Sequence, residues 1–138
     1  MPALDRYHET VRHALNKDGW TITDDPLTLV VDDRNLYADF GAERLLGAER
    51  GVEKIAVEIK TFLSPSPVAD LEQAIGQYSL YEDILQLLES ERTLYLAIPE
   101  EAFTHIFSER IGQLALKNRI KRAFVFNPVR EEIVQWLP

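Results

Sequence analysis

The chain has 138 residues, enough for one domain with a sizeable core and too few for two independent ones. Hydrophobic residues make up 46% and charged residues 28%, which excludes wholesale disorder and collagen-like repetition. A formal net charge of −8 gives an averaged field that repels nucleic acid and anionic membranes, so charge alone argues against a DNA role. In chain order, Leu4, Tyr7, Val11 and Leu15 fall at helical spacing and Gly19 follows the last turn, which predicts an amphipathic helix over 3–18. Trp20 and Ile22 alternate with threonines, Asp24-Asp25-Pro26 interrupts, and Leu27 to Val31 is β-rich before a turn at 32–35. Leu36, Ala38 and Phe40 then alternate with Tyr37 and Asp39, and Lys54 to Lys60 repeats the strand period.

Ser66-Pro67 supplies a capping hydroxyl and a proline suited to a first helical position. Val68, Leu71, Ile75, Tyr78, Leu85 and Leu88 mark the expected buried stripe of a long helix reaching about residue 89. Arg92 to Ile98 reads as a buried strand stopped by Pro99, 100–118 as one or two helices, and Lys121 to Phe126 as another strand. Asn127-Pro128 turns the chain, and Glu131 to Leu137 can pair back. A meander of strands followed by strand and helix alternation predicts an α/β sandwich, a mixed central β-sheet flanked by helices, in a single domain over 1–138.

The chain contains no cysteine, which excludes disulfide frameworks, thiol nucleophiles and thiolate metal sites and suits a cytoplasmic setting. Met1 to Arg6 carries no basic stretch leading into an apolar one, so export is not indicated. The longest purely apolar run, Leu94 to Ile98, is far short of the ~20 residues a spanning helix needs.

The strand over 54–60 carries the chemistry. Ile55, Val57 and Ile59 share one face, expected to be the core, and Glu58 with Lys60 project from the other. Antiparallel pairing with the Leu36 to Phe40 segment would bring Asp39 beside Glu58. Two like charges held together are unfavourable unless a cation lies between them, and carboxylate oxygens suit a hard divalent ion such as magnesium. With Lys60 alongside, such a centre could hydrolyse a phosphodiester. A chain of this composition contains about one acidic-x-Lys triplet by chance, so a solvated face with cross-strand ion pairs is the competing reading. On the long helix Gln73, Gln77 and Tyr81 follow one another at four-residue intervals, forming either a surface polar stripe or a set that orients a carboxylate or phosphate.

Asp39, Glu58-Ile59-Lys60 and Gln77-Tyr78-Ser79-Leu80-Tyr81 together resemble the signature of the PD-(D/E)XK nuclease superfamily, including the glutamine-x-x-x-tyrosine helix motif of its RecB-like branch. The proline of the superfamily name is Ala38 here. More closely, the chain resembles the XisH family, the fdxN element excision controlling factors of filamentous cyanobacteria. That likeness is carried by Lys17 to Trp20, Asp25 to Leu29, Gly41 to Leu45, Glu53 to Lys60, Asp70 to Tyr78 and Ile111 to Leu114.

The resemblance implies a restriction-endonuclease-like fold and a part in programmed excision of a DNA element, beside a site-specific recombinase and an accessory protein of the XisI type. By the same resemblance Asp39, Glu58 and the Ile59 carbonyl would ligate Mg2+ or Mn2+, with Glu9 of the first helix as a further ligand. Lys60 would orient water or stabilise charge, and Gln77 and Tyr81 would position those groups or a phosphate. The excision role suits a metal-dependent deoxyribonuclease, and it equally suits a non-catalytic accessory that binds the recombinase, its DNA or a partner.

Lys117, Arg119, Lys121 and Arg122 lie within six residues of an otherwise acidic chain, as helix-end dipole compensation or as a phosphate contact patch. His8 and His13, five apart, do not share a helical face, which disfavours a histidine metal site, and His8 reads as a packing residue. A homodimer that addresses two DNA strands is the expected assembly.

Overall fold

The computed structural model describes residues 6–45 and 51–137. A six-stranded mixed sheet carries helices on both faces, and a separate two-stranded hairpin packs onto the same core. The first helix, α1 (His8–Lys17), buries Val11, Ala14 and Leu15 and closes where Gly19 adopts φ +94 and the Trp20 N–H donates to the Leu15 carbonyl at 3.0 Å. The predicted start of that helix, with Leu4, lies outside the described residues.

Five strands follow: β1 (Thr21–Asp24), β2 (Leu27–Val31), β3 (Arg34–Ala38), β4 (Phe40–Leu45) and β5 (Val52–Ile59). The alternating run Leu36 to Phe40, expected as one strand, is divided at Asp39. Residues up to Ala38 pair with β2, whereas from Phe40 onward the chain pairs with β5. The inside-outside alternation continues through the break, so the pattern conceals it.

After α2 (Pro67–Leu87) come β6 (Thr93–Pro99), α3 (Glu100–Thr104), a short 3-10 turn at Ile106–Ser108, α4 (Arg110–Asn118), β7 (Ala123–Asn127) and β8 (Glu132–Leu137). The sheet order is β1-β4-β5-β6-β7-β8, with β5, β6 and β7 parallel and the outer pairings antiparallel. The parallel core strands take the helical crossovers that such connections require.

β5 is buried on both sides. Ile55, Val57 and Ile59 enter a cluster with Val11, Leu15, Trp20 and Phe40, and Ala56 faces a second cluster beneath α2. The face carrying Glu58 and Lys60 is therefore not a solvated one: α2 covers it, and Glu58 is only 6% exposed.

On α2 the Ser66 hydroxyl accepts from the Ala69 N–H at 3.2 Å and Pro67 occupies the first turn. The buried stripe differs from the expected one. Leu71, Ala74, Tyr78, Tyr81, Ile84 and Leu85 face the core, while Val68 and Leu88 are 43% and 41% exposed. A helix lying across a sheet presents a face set by its neighbours, and here that face is rotated to include Tyr81. Among the described residues no helix is long and apolar enough to cross a membrane.

Candidate functional site

Register builds the centre of the site. Phe40 lies opposite Val57, so Asp39, one residue before β4, comes to face Glu58, one residue further along β5. Each carboxylate accepts a main-chain N–H from the other strand segment: the Asp39 N–H donates to Glu58 Oε1 at 3.2 Å, and the Ile59 N–H donates to Asp39 Oδ2 at 2.8 Å. Hydrogen bonds to ionised acceptors are the stronger kind, and these two offset part of the repulsion between neighbouring acids. Ile59 places its side chain in the core, 6% exposed, as expected of a residue whose main chain alone is available to the site.

Lys60 anchors its own N–H on the Ala97 carbonyl at 3.2 Å. Its ammonium pairs with Asp70 Oδ1 at 3.8 Å and donates to Gln73 Oε1. Asp70 was not among the expected site residues. It is 7% exposed, lies in the first turn of α2 and accepts from the Ser64 N–H at 3.2 Å. The Gln73, Gln77, Tyr81 stripe extended three residues back reaches Asp70, which was the signal available for finding it.

Tyr81 stands beside the acidic pair. Burial pushes its hydroxyl pKa up, the charges of Glu58 and Asp39 push the same way, and hydrogen bonding to the Gln77 side chain and the Tyr37 main chain opposes them. A tyrosine so placed remains a neutral hydrogen-bond donor. The α2 stripe thus divides its work, with Asp70 and Gln73 at Lys60, Tyr81 beside the carboxylates and Gln77 on the Tyr81 hydroxyl.

From the other side of the sheet α1 contributes His8, not Glu9. Glu9 is largely exposed and pairs with Arg12 at 3.7 Å, turned a third of a helical revolution away. His8 is 3% exposed and its ring lies 4.4 Å from that of Phe40, so it does pack as expected. It is also polar: Nε2 bonds Asp25 Oδ1 at 2.7 Å, and Nδ1, buried with no hydrogen-bond partner among the described residues, lies 3.8 Å from Asp39 Oδ1. Arg12 pairs with the second oxygen of Asp25.

The basic segment packs against α2 and the end of α4. Lys117 is in the last turn of α4, Arg119 caps it, Lys121 pairs with Glu82 at 3.3 Å, and the Arg122 N–H donates to the Tyr78 hydroxyl.

The donor chemistry suits a hard cation of magnesium type. Among the described residues no group of three or more histidine, aspartate or glutamate side chains is arranged to hold a metal. Two carboxylates alone are a common protein contribution to magnesium, which keeps several waters and takes further oxygens from substrate phosphate.

Comparison with known proteins shows that the model of the family described as "XisH protein" matches residues 1–134. A solved XisH family protein from Nostoc punctiforme PCC 73102 superposes with a TM-score of 0.86 at 36% identity, covering 97% of this chain and 100% of that one. An fdxN element excision controlling factor protein from Anabaena variabilis gives a TM-score of 0.83 at 38% identity, covering 96% and 98%. No curated protein matches.

Proposed function

Because the chain belongs to the XisH family, we propose that it is an excision controlling factor for a DNA element, acting as a magnesium-dependent deoxyribonuclease of PD-(D/E)XK type in a restriction-endonuclease-like sandwich. The observation that carries this reading is the reciprocal main-chain clasp that fixes Asp39 and Glu58 at the carboxyl end of β5. Asp39, Glu58 and the Ile59 carbonyl would hold the cation. Magnesium or manganese, when bound, supplies Lewis-acid chemistry at the phosphate.

The chain's own groups do the rest. Lys60, held by Asp70 and Gln73, sets a positive charge beside the scissile phosphate and offsets the charge that develops there. Tyr81 keeps its proton and donates it in a hydrogen bond to a phosphate oxygen, with Gln77 fixing the phenol. Lys117, Arg119, Lys121 and Arg122 contact phosphates away from the cut. In a chain of net charge −8 those contacts are few, which makes help from a recombinase, an XisI-type accessory protein or a second copy of the chain part of the proposal.

Supercoiled plasmid incubated with the protein and Mg2+ or Mn2+ tests the reading. Nicking that disappears with EDTA and in Lys60→Ala is the expected result; no nicking by the wild type, or equal nicking by Lys60→Ala, rejects it. A second reading, a non-catalytic accessory, is favoured by the engagement of the Lys60 ammonium with Asp70 and Gln73 of α2. It predicts a gel shift and partner copurification that persist unchanged in Asp39→Ala.

A further inference from the structure

Immediately beyond Lys60 the chain forms one wall of a cavity of about 350 Å³. Phe62 and Ile106 supply apolar surface, Tyr7 a further aromatic ring, and Glu101, His105 and Glu109 the polar groups. The cavity lies past the carboxyl ends of β5 and β6, where open α/β sheets place ligands, and it adjoins the site through Thr61. Phe62 adopts φ +58, a left-handed conformation unusual for a bulky residue, and its ring meets Phe107 edge-on at 5.1 Å. The chain is thus held in a disfavoured conformation at the wall of the cavity, two residues past the Lys60 of the site.

The polar groups there accept hydrogen bonds. Glu101 and Glu109 carry carboxylates, and His105 Nδ1 bonds the Glu101 carbonyl at 2.7 Å. Carboxylates exclude phosphate but match the amino group of a base edge, as glutamate matches the cytosine amine. Aromatic walls suit the face of an unstacked base.

We propose that this cavity receives one unpaired DNA base bearing an exocyclic amine, extruded from the strand whose phosphate lies at Lys60. The inference rests on the DNA-directed reading of the site, and its test is independent of cleavage. Fluorescence anisotropy in EDTA compares labelled dC12 with dT12, since thymine lacks the amine. The wild type is expected to bind dC12 about fivefold or more tightly over dT12. The double variant Glu101→Ala, Glu109→Ala, altered only at exposed side chains, should lose that preference while its dT12 affinity holds or rises. Photocrosslinking with 5-iododeoxycytidine should map to Tyr7 or Phe62. Equal affinity for the two oligonucleotides, no affinity for either, or crosslinks outside the cavity overturns the proposal. Metal-dependent plasmid nicking without a base preference would leave the nuclease reading standing alone, and a base preference without nicking would do the reverse.

Discussion

The Asp39 and Glu58 carboxylates each accept a main-chain N–H, from Ile59 and Asp39 respectively. Lys60 is held by Asp70 and Gln73 of α2. Asp70→Asn should therefore lower nicking about tenfold or more through a displaced Lys60 while leaving metal binding intact, a pair of readouts that separates positioning from ligation. Tyr78 gives a pH prediction. Burial, reinforced by Glu82, pushes its hydroxyl pKa up to about 12 from 10.0. Above pH 10 the unfolded chain releases this proton while the folded chain keeps it, so stability is unaffected below pH 10 and falls as pH rises toward 12, by roughly 3 kcal/mol in all. Urea titrations across that window should show a steeper slope in the wild type than in Tyr78→Phe, where only the raised Tyr81 contributes a part of it. At this scale the sequence disclosed the residues that share an alternation or a helical stripe, Asp39 opposite Glu58 and Gln73, Gln77 and Tyr81 on one helix. It did not disclose His8 in place of Glu9, because one residue on a helix is a third of a turn and the facing element was unknown.

At the scale of elements, two contacts lock the layers. Gly112 lets α4 sit directly on the 3-10 turn: a Cβ there would come within 2.1 Å of the Ile106 carbonyl oxygen and 2.5 Å of the Phe107 Cα. Beside it the Gln113 amide donates to the Phe107 carbonyl. Gly112→Ala should cost about 1–3 kcal/mol by overpacking, read from the urea midpoint. Arg92, ahead of β6, ties three strands together. Its guanidinium donates to the Ala42 and Ile55 carbonyls at 3.3 and 3.0 Å and to Asp24 at 3.0 Å, so Arg92→Met should cost about 1.5–3 kcal/mol. Periodicity and turn residues revealed β2, β6, β7 and α2 well, since each is long, regular and bounded by proline, glycine or a capping serine. The division at Asp39 was hidden because two strands in different sheets can share one alternation, and the burial of both faces of β5 was hidden because Glu58 and Lys60 look like solvent-facing residues when the helix above them is out of view.

For the whole molecule, the net charge of −8 constrains how the proposed DNA role could work. A few basic contacts at 117–122 predict binding that weakens roughly tenfold or more between 50 and 200 mM salt, with Lys117→Ala and Lys121→Ala each flattening the dependence by about one counterion. The mixed sheet was legible from the order of elements, whereas the strand order and the coverage of the acidic face required the packed structure. The proposed function turns on whether Asp39 and Glu58 together hold a divalent cation. Crystals of the protein with a short DNA duplex and Mn2+ would decide this through anomalous scattering. One manganese peak within ligand distance of both carboxylates is the predicted result, and bound DNA with no peak between them would contradict it.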